Sequence, residues 1–138
     1  MDILVVEDEF LLALALEDCL TRAGHRVIGP ARRRTEALAH AARSRPDLVL
    51  LDIRLADGDS GTEFAAELED LAGVTVLYAS GNTHEAEESG VGLGVLRKPY
   101  SEEDVLQSVE VVRQLRAGRV PAEVPAALTL FASAAAAA

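Results

Sequence analysis

This chain has few cysteines, which form disulfide bonds, and few aromatic residues, which stack on nucleic-acid bases. Its 138 residues include one cysteine, no tryptophan, two tyrosines and three phenylalanines. The single cysteine, Cys19, excludes an internal disulfide bond and is typical of a protein from a reducing compartment. So few aromatic side chains leave little surface on which nucleic-acid bases could stack.

Positive charge and long apolar runs are scarce as well. Thirteen Lys and Arg residues stand against 23 Asp and Glu residues, so the formal net charge is −10 at pH 7. A nucleic-acid backbone would repel such a chain. The longest strongly apolar run, Phe10–Leu16, is far shorter than the roughly 20 residues that a membrane-spanning helix needs, and no basic region precedes it as in a signal peptide. We therefore expect a cytoplasmic protein without nucleic-acid or membrane partners.

Short β-branched runs alternate with helical patterns along the chain, which predicts an α/β fold. The predicted strands are Ile3–Val6, Arg26–Ile28, Leu48–Leu51, Val74–Tyr78 and Val95–Leu96. The predicted helices are Phe10–Ala23, Arg34–Ser44, Thr62–Leu71, Thr83–Ser89 and Glu102–Ala117. Ser101 is expected to cap the last helix, with Asp104 as its capping-box partner.

This alternation predicts a doubly wound, five-stranded parallel sheet with helices on both faces. Right-handed crossovers and the size of the chain favour the flavodoxin-like strand order 2-1-3-4-5, in which strands 1 and 3 are neighbours. We expect one domain over residues 1–117 and a tail over residues 118–138. Ligand chemistry is then expected at the carboxyl ends of the strands.

Acidic side chains follow two of the predicted central strands. Glu7 and Asp8 end the first strand, and Asp52 ends the third. Three carboxylates at one edge of a sheet repel one another unless a hard cation bridges them, and Mg²⁺ is the natural candidate. Mg²⁺ uses few protein carboxylates, which leaves one carboxylate free to act as a nucleophile toward phosphorus.

A hydroxyl and an ammonium group end the next two strands. Ser80 ends the fourth strand, and Lys98, followed by Pro99, ends the fifth. Both groups suit contacts with phosphoryl oxygens. The same edge therefore collects acids, a cation site, a hydrogen-bond donor and a counter-charge, a combination that indicates phosphoryl chemistry.

The motifs "VVEDE", "LVLLDIRL", "YASGN" and "RKPY" resemble the phosphoacceptor signature of response-regulator receiver domains over roughly Met1–Ala117. The resemblance implies a stoichiometric phosphoacceptor rather than an enzyme, with self-catalysed phosphotransfer and dephosphorylation. It implies that Asp52 takes a phosphoryl group from a sensor histidine kinase or phosphotransfer protein, and that Ser80 and Lys98 bind the phosphoryl oxygens. It also implies that the Lys98–Pro99 peptide bond is cis. The implied Mg²⁺ ligands are the carboxylates of Asp8 and Asp52, the backbone carbonyl of Arg54, and Glu7 mostly through water.

Three positions depart from the common pattern of that family. Val95 stands where the family usually has an aromatic residue that swings inward on activation. Ala56 replaces a usual proline, and the loop after it is predicted to be a turn held by Gly58 and Gly61. Arg54 lies two residues after Asp52, where it is expected to alter hydrolysis of the phosphoryl group. These departures leave an alternative open, a pseudo-receiver interaction module that switches without phosphorylation.

The partners are expected to be proteins. No effector domain is expected after Ala117, so output should pass by contact with a downstream protein target. The first helix is apolar nearly all round, which suits docking of a kinase domain. The fifth helix also has surplus apolar residues, and the apolar segment Ala126–Phe131 is predicted to be unable to bury itself against its own domain. A homodimer through the fifth helix and the tail is therefore predicted.

Overall fold

The computed structural model describes residues 1–132, along which strands and helices alternate. The strands are β1 (Asp2–Val6), β2 (Arg26–Ala31), β3 (Leu48–Leu51), β4 (Thr75–Ser80), β5 (Gly94–Arg97) and β6 (Leu128–Leu130). The α-helices are α1 (Phe10–Arg22), α2 (Arg34–Ser44), α3 (Gly61–Ala72), α4 (Thr83–Glu88) and α5 (Glu102–Arg116). A short 3₁₀ helix, Ala56–Gly58, precedes α3. Within residues 1–132, no helix combines the length and apolar character needed to cross a membrane.

The sheet has the order β2-β1-β3-β4-β5-β6, and its first five strands are parallel. The predicted order 2-1-3-4-5 is therefore confirmed, but the sheet has six strands and not the predicted five, because β6 is added antiparallel at the β5 edge. β1 lies between β2 and β3, with Val6 opposite Leu51. Because these inner strands have neighbours on both sides and helices on both faces, their apolar sequences are almost entirely buried.

Alternate residues of the inner strands enter two separate cores, one on each face of the sheet. In β1, Leu4 and Val6 face the core under α2, α3 and α4, whereas Ile3 and Val5 face the core under α1 and α5. This two-residue period follows from the pleat of a strand. Burying a Val, Leu or Ile side chain fully stabilises the fold by about 1.5–3 kcal/mol, so the central strands are held firmly from both faces.

The prediction that Ala126–Phe131 could not be buried against its own domain is wrong. β6 pairs antiparallel with β5, and Leu128 and Phe131 are only 5% and 8% exposed. Without β6, β5 would be an edge strand with unpaired backbone groups, which an extended segment satisfies. The apolar pattern of this segment does not reveal its position, because the segment pairs with an edge of the sheet and not with a face. The domain boundary after Ala117 and the dimerisation role of the tail stay predictions, and residues 133–138 of that tail lie outside the described residues.

Two local predictions have different outcomes. The capping box at the start of α5 is confirmed, since Ser101 Oγ accepts from Asp104 N at 3.1 Å and Asp104 Oδ2 accepts from Ser101 N at 2.9 Å. The predicted glycine turn is only partly correct. Gly58 has a positive φ of 77°, but Gly61 begins α3 and is needed for another reason, because a Cβ there would overlap the carbonyl oxygen of Asp52. Gly61 thus lets α3 approach the end of β3 closely.

Candidate functional site

The ends of β1 and β3 bring two acidic residues side by side. Glu7 directly follows β1, and its N–H donates to the Ala31 carbonyl at 2.9 Å. Asp52 directly follows β3, and its N–H donates to the Val6 carbonyl at 3.0 Å. Both backbone positions are therefore fixed by hydrogen bonds to a neighbouring strand.

Glu7 and Asp52 form an acidic cluster with Asp8. Carboxylate oxygens of the three residues lie within 4.8 Å of one another. Glu7 and Asp52 are only 3% and 9% exposed, whereas Asp8 is half-buried. The three acids that the sequence placed at one edge of the sheet are thus brought together.

Lys98 supplies positive charge to this cluster from the end of β5. Its ammonium Nζ donates to Glu7 Oε1 at 2.9 Å and to Asp52 Oδ2 at 3.2 Å. The Lys98–Pro99 peptide bond is cis, as the resemblance implied. One ammonium group therefore bridges the acids from two different strands.

Three carboxylates and one ammonium leave an excess of negative charge. Burial and the neighbouring carboxylate of Asp52 raise the pKa of Glu7 from 4.5 to about 8, against the opposing effect of Lys98. Burial alone would lower the pKa of Lys98, but its hydrogen bonds and charge interactions with Glu7 and Asp52 outweigh burial and raise that pKa. Without a further cation, the Glu7 carboxyl therefore binds its proton more tightly than an exposed glutamate does.

The residues present fit a hard divalent cation. Oε2 of Glu7 is buried and finds no hydrogen-bond partner among residues 1–132. An unused carboxylate oxygen beside two other carboxylates is the type of donor that Mg²⁺ prefers, and a cation there would remove the repulsion that raises the Glu7 pKa. The backbone N–H of Arg54 donates to Asp52 Oδ1 at 3.4 Å, and a ligand role for the Arg54 carbonyl stays a prediction.

Ser80 ends β4, the strand between β3 and β5, at the same edge of the sheet. It is 3% exposed, and its carbonyl accepts from the N–H of Lys98 at 3.0 Å. Its Oγ accepts from the N–H of Asn82 at 3.0 Å. The hydroxyl is therefore held by the loop before α4, and any movement of Ser80 toward a phosphoryl group would break that hydrogen bond.

Asn82 stands two residues after Ser80, as Arg54 does after Asp52, and its contact with Glu85 was not predicted. Asn82 caps α4, since its Oδ1 accepts from Glu85 N at 3.0 Å and its Nδ2 donates to Glu85 Oε2 at 3.0 Å. The Glu85 carboxylate also lies 3.9 Å from the guanidinium of Arg54, which is 79% exposed. The three-residue spacing of Asn82 and Glu85 is a capping-box pattern and could have identified the pair.

The raised pKa of Glu7 predicts how the stability of the metal-free protein depends on pH. A group whose pKa is higher in the folded protein than in the unfolded chain stabilises the fold. This stabilisation is complete below the pKa of the unfolded chain and is lost as pH rises through the pKa of the folded protein. The free energy of unfolding should therefore fall between about pH 4.5 and about pH 8 because of Glu7. Thermal or urea unfolding across this range measures the effect.

A matched pair of variants isolates the contribution of Glu7. Glu7→Gln should flatten this pH dependence, whereas Glu87→Gln, at an exposed position of α4, should leave it unchanged. Identical profiles for Glu7→Gln and the wild-type protein would contradict the assignment. Added Mg²⁺ should also flatten the wild-type profile, because the cation favours the ionised carboxylates.

Comparison with known proteins agrees with this geometry. The family profile described as the response regulator receiver domain matches residues 3–110. Over 78 residues the chain is 47% identical to the phyllosphere-induced regulator PhyR of Methylorubrum extorquens, a match that covers 56% of this chain and 29% of PhyR. Over 114 residues it is 30% identical to the transcriptional regulatory protein PdtaR of Mycobacterium tuberculosis, covering 79% of this chain and 55% of PdtaR.

A solved structure shares both sequence and fold. The solution structure of the receiver domain of PhyR from Erythrobacter litoralis has a TM-score of 0.73 and 31% identity, covering 81% of this chain and 88% of that one. The chain spans only 29% and 55% of the two curated relatives above, so it corresponds to part of each of them. Because the receiver profile spans most of the sequence and a solved receiver domain has the same fold, the chain belongs to the response regulator receiver domain family.

Proposed function

We propose that this chain is a phosphoacceptor response regulator in which Asp52 accepts a phosphoryl group from a sensor histidine kinase or phosphotransfer protein. The observation that carries the proposal is the ammonium of Lys98, which bridges Asp52 and Glu7 inside a cluster of three carboxylates. Such a cluster is costly for the fold unless it serves a charged ligand. Signalling then proceeds by contact with a downstream protein.

The transfer requires one carboxylate oxygen of Asp52 to attack phosphorus. The new O–P bond forms as the bond between phosphorus and the phosphohistidine nitrogen breaks, and the electron pair and a proton end on the imidazole ring. Lys98 and the Ser80 hydroxyl then contact phosphoryl oxygens, and the product carries about −1.5 to −2 charges. When bound by Glu7, Asp8, Asp52 and the Arg54 carbonyl, Mg²⁺ supplies positive charge to the carboxylates and phosphoryl oxygens.

The surface beside Lys98 supports docking of a phosphorylated partner. Phe10 and Leu11 are each 73% exposed and Leu14 is 50% exposed, all at the start of α1. A cavity of about 320 Å³ next to them is lined by Leu12, Lys98, Pro99 and Tyr100. An apolar helix end beside the phosphoacceptor edge suits a helical phosphohistidine domain, which the chain would meet in the cytoplasm.

Self-association through α5 and the tail is also part of the proposal, on a revised basis. The segment Ala126–Phe131 is occupied within its own domain, but Val120 and Val124 are 73% and 43% exposed. These side chains, rather than β6, are the apolar surface of the tail that a second copy could cover. Light scattering of the full chain tests this part, and a monomer at high concentration would contradict it.

Arg54 is proposed to alter the lifetime of the phosphorylated state. Its guanidinium lies 3.9 Å from the carboxylate of Glu85, which is hydrogen-bonded to Asn82 in the loop that leads from Ser80. Arg54→Ala should change the self-catalysed dephosphorylation rate by about 3-fold or more while leaving stability nearly unchanged, because the side chain is exposed. Loss of phosphate from the purified phosphoprotein gives the rate. Arg43→Ala, an exposed cation on α2, is the control, and equal rates for both variants would contradict this role.

The function itself is tested by incubation with Mg²⁺ and a small phosphodonor such as acetyl phosphate. Formation of a labile acyl phosphate on Asp52 supports the phosphoacceptor. A wild-type chain that forms none would favour the pseudo-receiver, for which Val95 at the usual aromatic position is the supporting observation.

A further inference from the structure

β6 docks on β5 through a short and specific set of contacts. Gly94, Val95 and Leu96 lie opposite Leu130, Thr129 and Leu128. Two further hydrogen bonds flank the pairing, from Arg97 N to the Ala127 carbonyl at 2.9 Å and from Phe131 N to the Leu93 carbonyl at 3.0 Å. Three residues of strand, the adjoining backbone and the buried side chains of Leu128 and Phe131 hold this segment. Because β6 lies at the edge of the sheet, its separation from β5 leaves the pairing of the inner strands intact.

Gly94 is required by the close approach of β6. Its φ is not positive, so conformational freedom does not explain the glycine. A Cβ at this position would overlap the carbonyl oxygen of Thr129 and lie 3.1 Å from Leu130 Cα. The three nearest atoms all belong to β6. The absence of a side chain at Gly94 therefore allows β6 to lie close to β5.

Phe131, directly after β6, braces the strand that leads to Ser80. Its ring centroid lies 6.4 Å from that of Tyr78 on β4, at an interplanar angle of 46°. Tyr78 is completely buried, and its hydroxyl is hydrogen-bonded to Ser89 Oγ at 3.1 Å. Ser89 directly follows α4 as its C-cap, and Phe131 shares a core cluster with Ala86 of that helix.

Helix α4 is thus held at both ends by β4. At its start, Asn82 caps the helix and donates its N–H to Ser80 Oγ. At its end, Ser89 contacts Tyr78, which packs against Phe131. β6 is therefore connected through Tyr78 and α4 to the hydroxyl that faces the phosphoacceptor edge.

We propose that β6 and Phe131 form a strap that restrains the phosphoacceptor switch. Docked on β5, the strap holds Tyr78 and α4 in the arrangement in which Ser80 is bonded to Asn82. Movement of Ser80 to a phosphoryl oxygen breaks the hydrogen bond from Asn82 to Ser80 and loosens the start of α4. The strap opposes this movement because it holds the end of α4 in place through Tyr78. Release of the strap therefore favours the phosphorylated state, and phosphorylation loosens the strap by the same factor. This proposal rests on the phosphoacceptor function proposed above.

The first arm of the test uses the full chain without any phosphodonor. Hydrogen exchange of the amides of residues 128–131 and 83–89 is compared in the wild-type protein, Gly94→Ala and Phe131→Ala. Gly94→Ala should increase exchange at least tenfold in residues 128–131, and both variants should increase it at least threefold in residues 83–89. Thr129→Val, whose side chain is exposed on β6, is the control and should leave both segments protected. If exchange in residues 83–89 is unchanged when residues 128–131 have lost their protection, the strap does not hold α4 and the proposal is wrong.

The second arm adds Mg²⁺ and acetyl phosphate. Gly94→Ala and Phe131→Ala should form the acyl phosphate 3- to 10-fold faster than the wild-type protein and Thr129→Val. In the wild-type protein, phosphorylation should raise exchange in residues 128–131. Equal phosphorylation rates in all four proteins would overturn the coupling. If none of the four forms an acyl phosphate, the proposed function fails, whereas the first arm still decides whether the strap holds α4.

Discussion

Replacing Asp52 by asparagine should leave the chain without measurable acyl phosphate after incubation with Mg²⁺ and acetyl phosphate, whereas the wild-type protein accumulates it. An amide oxygen is a poor nucleophile toward phosphorus and cannot form a mixed anhydride. Asp52 also accepts a hydrogen bond from Lys98, so the substitution removes one of the two carboxylates that the lysine contacts. Mass spectrometry measures the product as the added mass of a phosphoryl group, which treatment with hydroxylamine removes.

A matched control separates the acceptor from the other acids. Asp70→Asn, at an exposed position of α3, removes one negative charge without touching the cluster and should be phosphorylated like the wild-type protein. Label that persists in Asp52→Asn would assign the acceptor to another residue. Label absent from both the wild-type protein and Asp70→Asn would instead favour an interaction module that switches without phosphate.

The site could be predicted from the sequence because parallel strands end at the same edge of a sheet. Glu7, Asp52, Ser80 and Lys98 each follow or end a strand with a recognisable apolar pattern, so their convergence needed only the strand order. The hydrogen bonds of Lys98 to both acids could not be derived in this way, since they depend on side-chain geometry across three strands.

The parts that were missed depend on close approach rather than on periodicity. A three-residue strand such as β6 is too short to show a two-residue period, and its partner is a sheet edge that no pattern in the tail identifies. Gly61 and Gly94 look like ordinary loop or strand-end glycines until another backbone is seen to occupy the space of their missing Cβ. The backbone of Asp52 occupies the space beside Gly61, and the backbone of β6 occupies the space beside Gly94.

Lys98→Ala should have two separate effects, because this lysine balances charge in the resting protein and is proposed to contact the phosphoryl group. Without its ammonium, the buried carboxylates of Glu7 and Asp52 lose their common partner. Breaking a buried ion pair costs about 3–5 kcal/mol, and the 24% exposure of the Lys98 side chain places the expected loss of unfolding free energy nearer to about 2 kcal/mol. Chemical denaturation of the metal-free protein measures this loss.

The phosphorylation rate should fall about 100-fold in the same variant, because a preorganised cation no longer stabilises charge that develops on the phosphoryl oxygens. Mg²⁺ affinity should stay the same or rise, since Lys98 competes with the metal for Glu7 and Asp52. Arg97→Ala, at the exposed position next to Lys98, is the control and should change neither quantity appreciably. Loss of a group that contacts the transferred phosphoryl should slow phosphorylation even where Mg²⁺ binding is unchanged. A Lys98→Ala protein that binds Mg²⁺ normally and is phosphorylated at the wild-type rate would therefore restrict the role of Lys98 to charge balance.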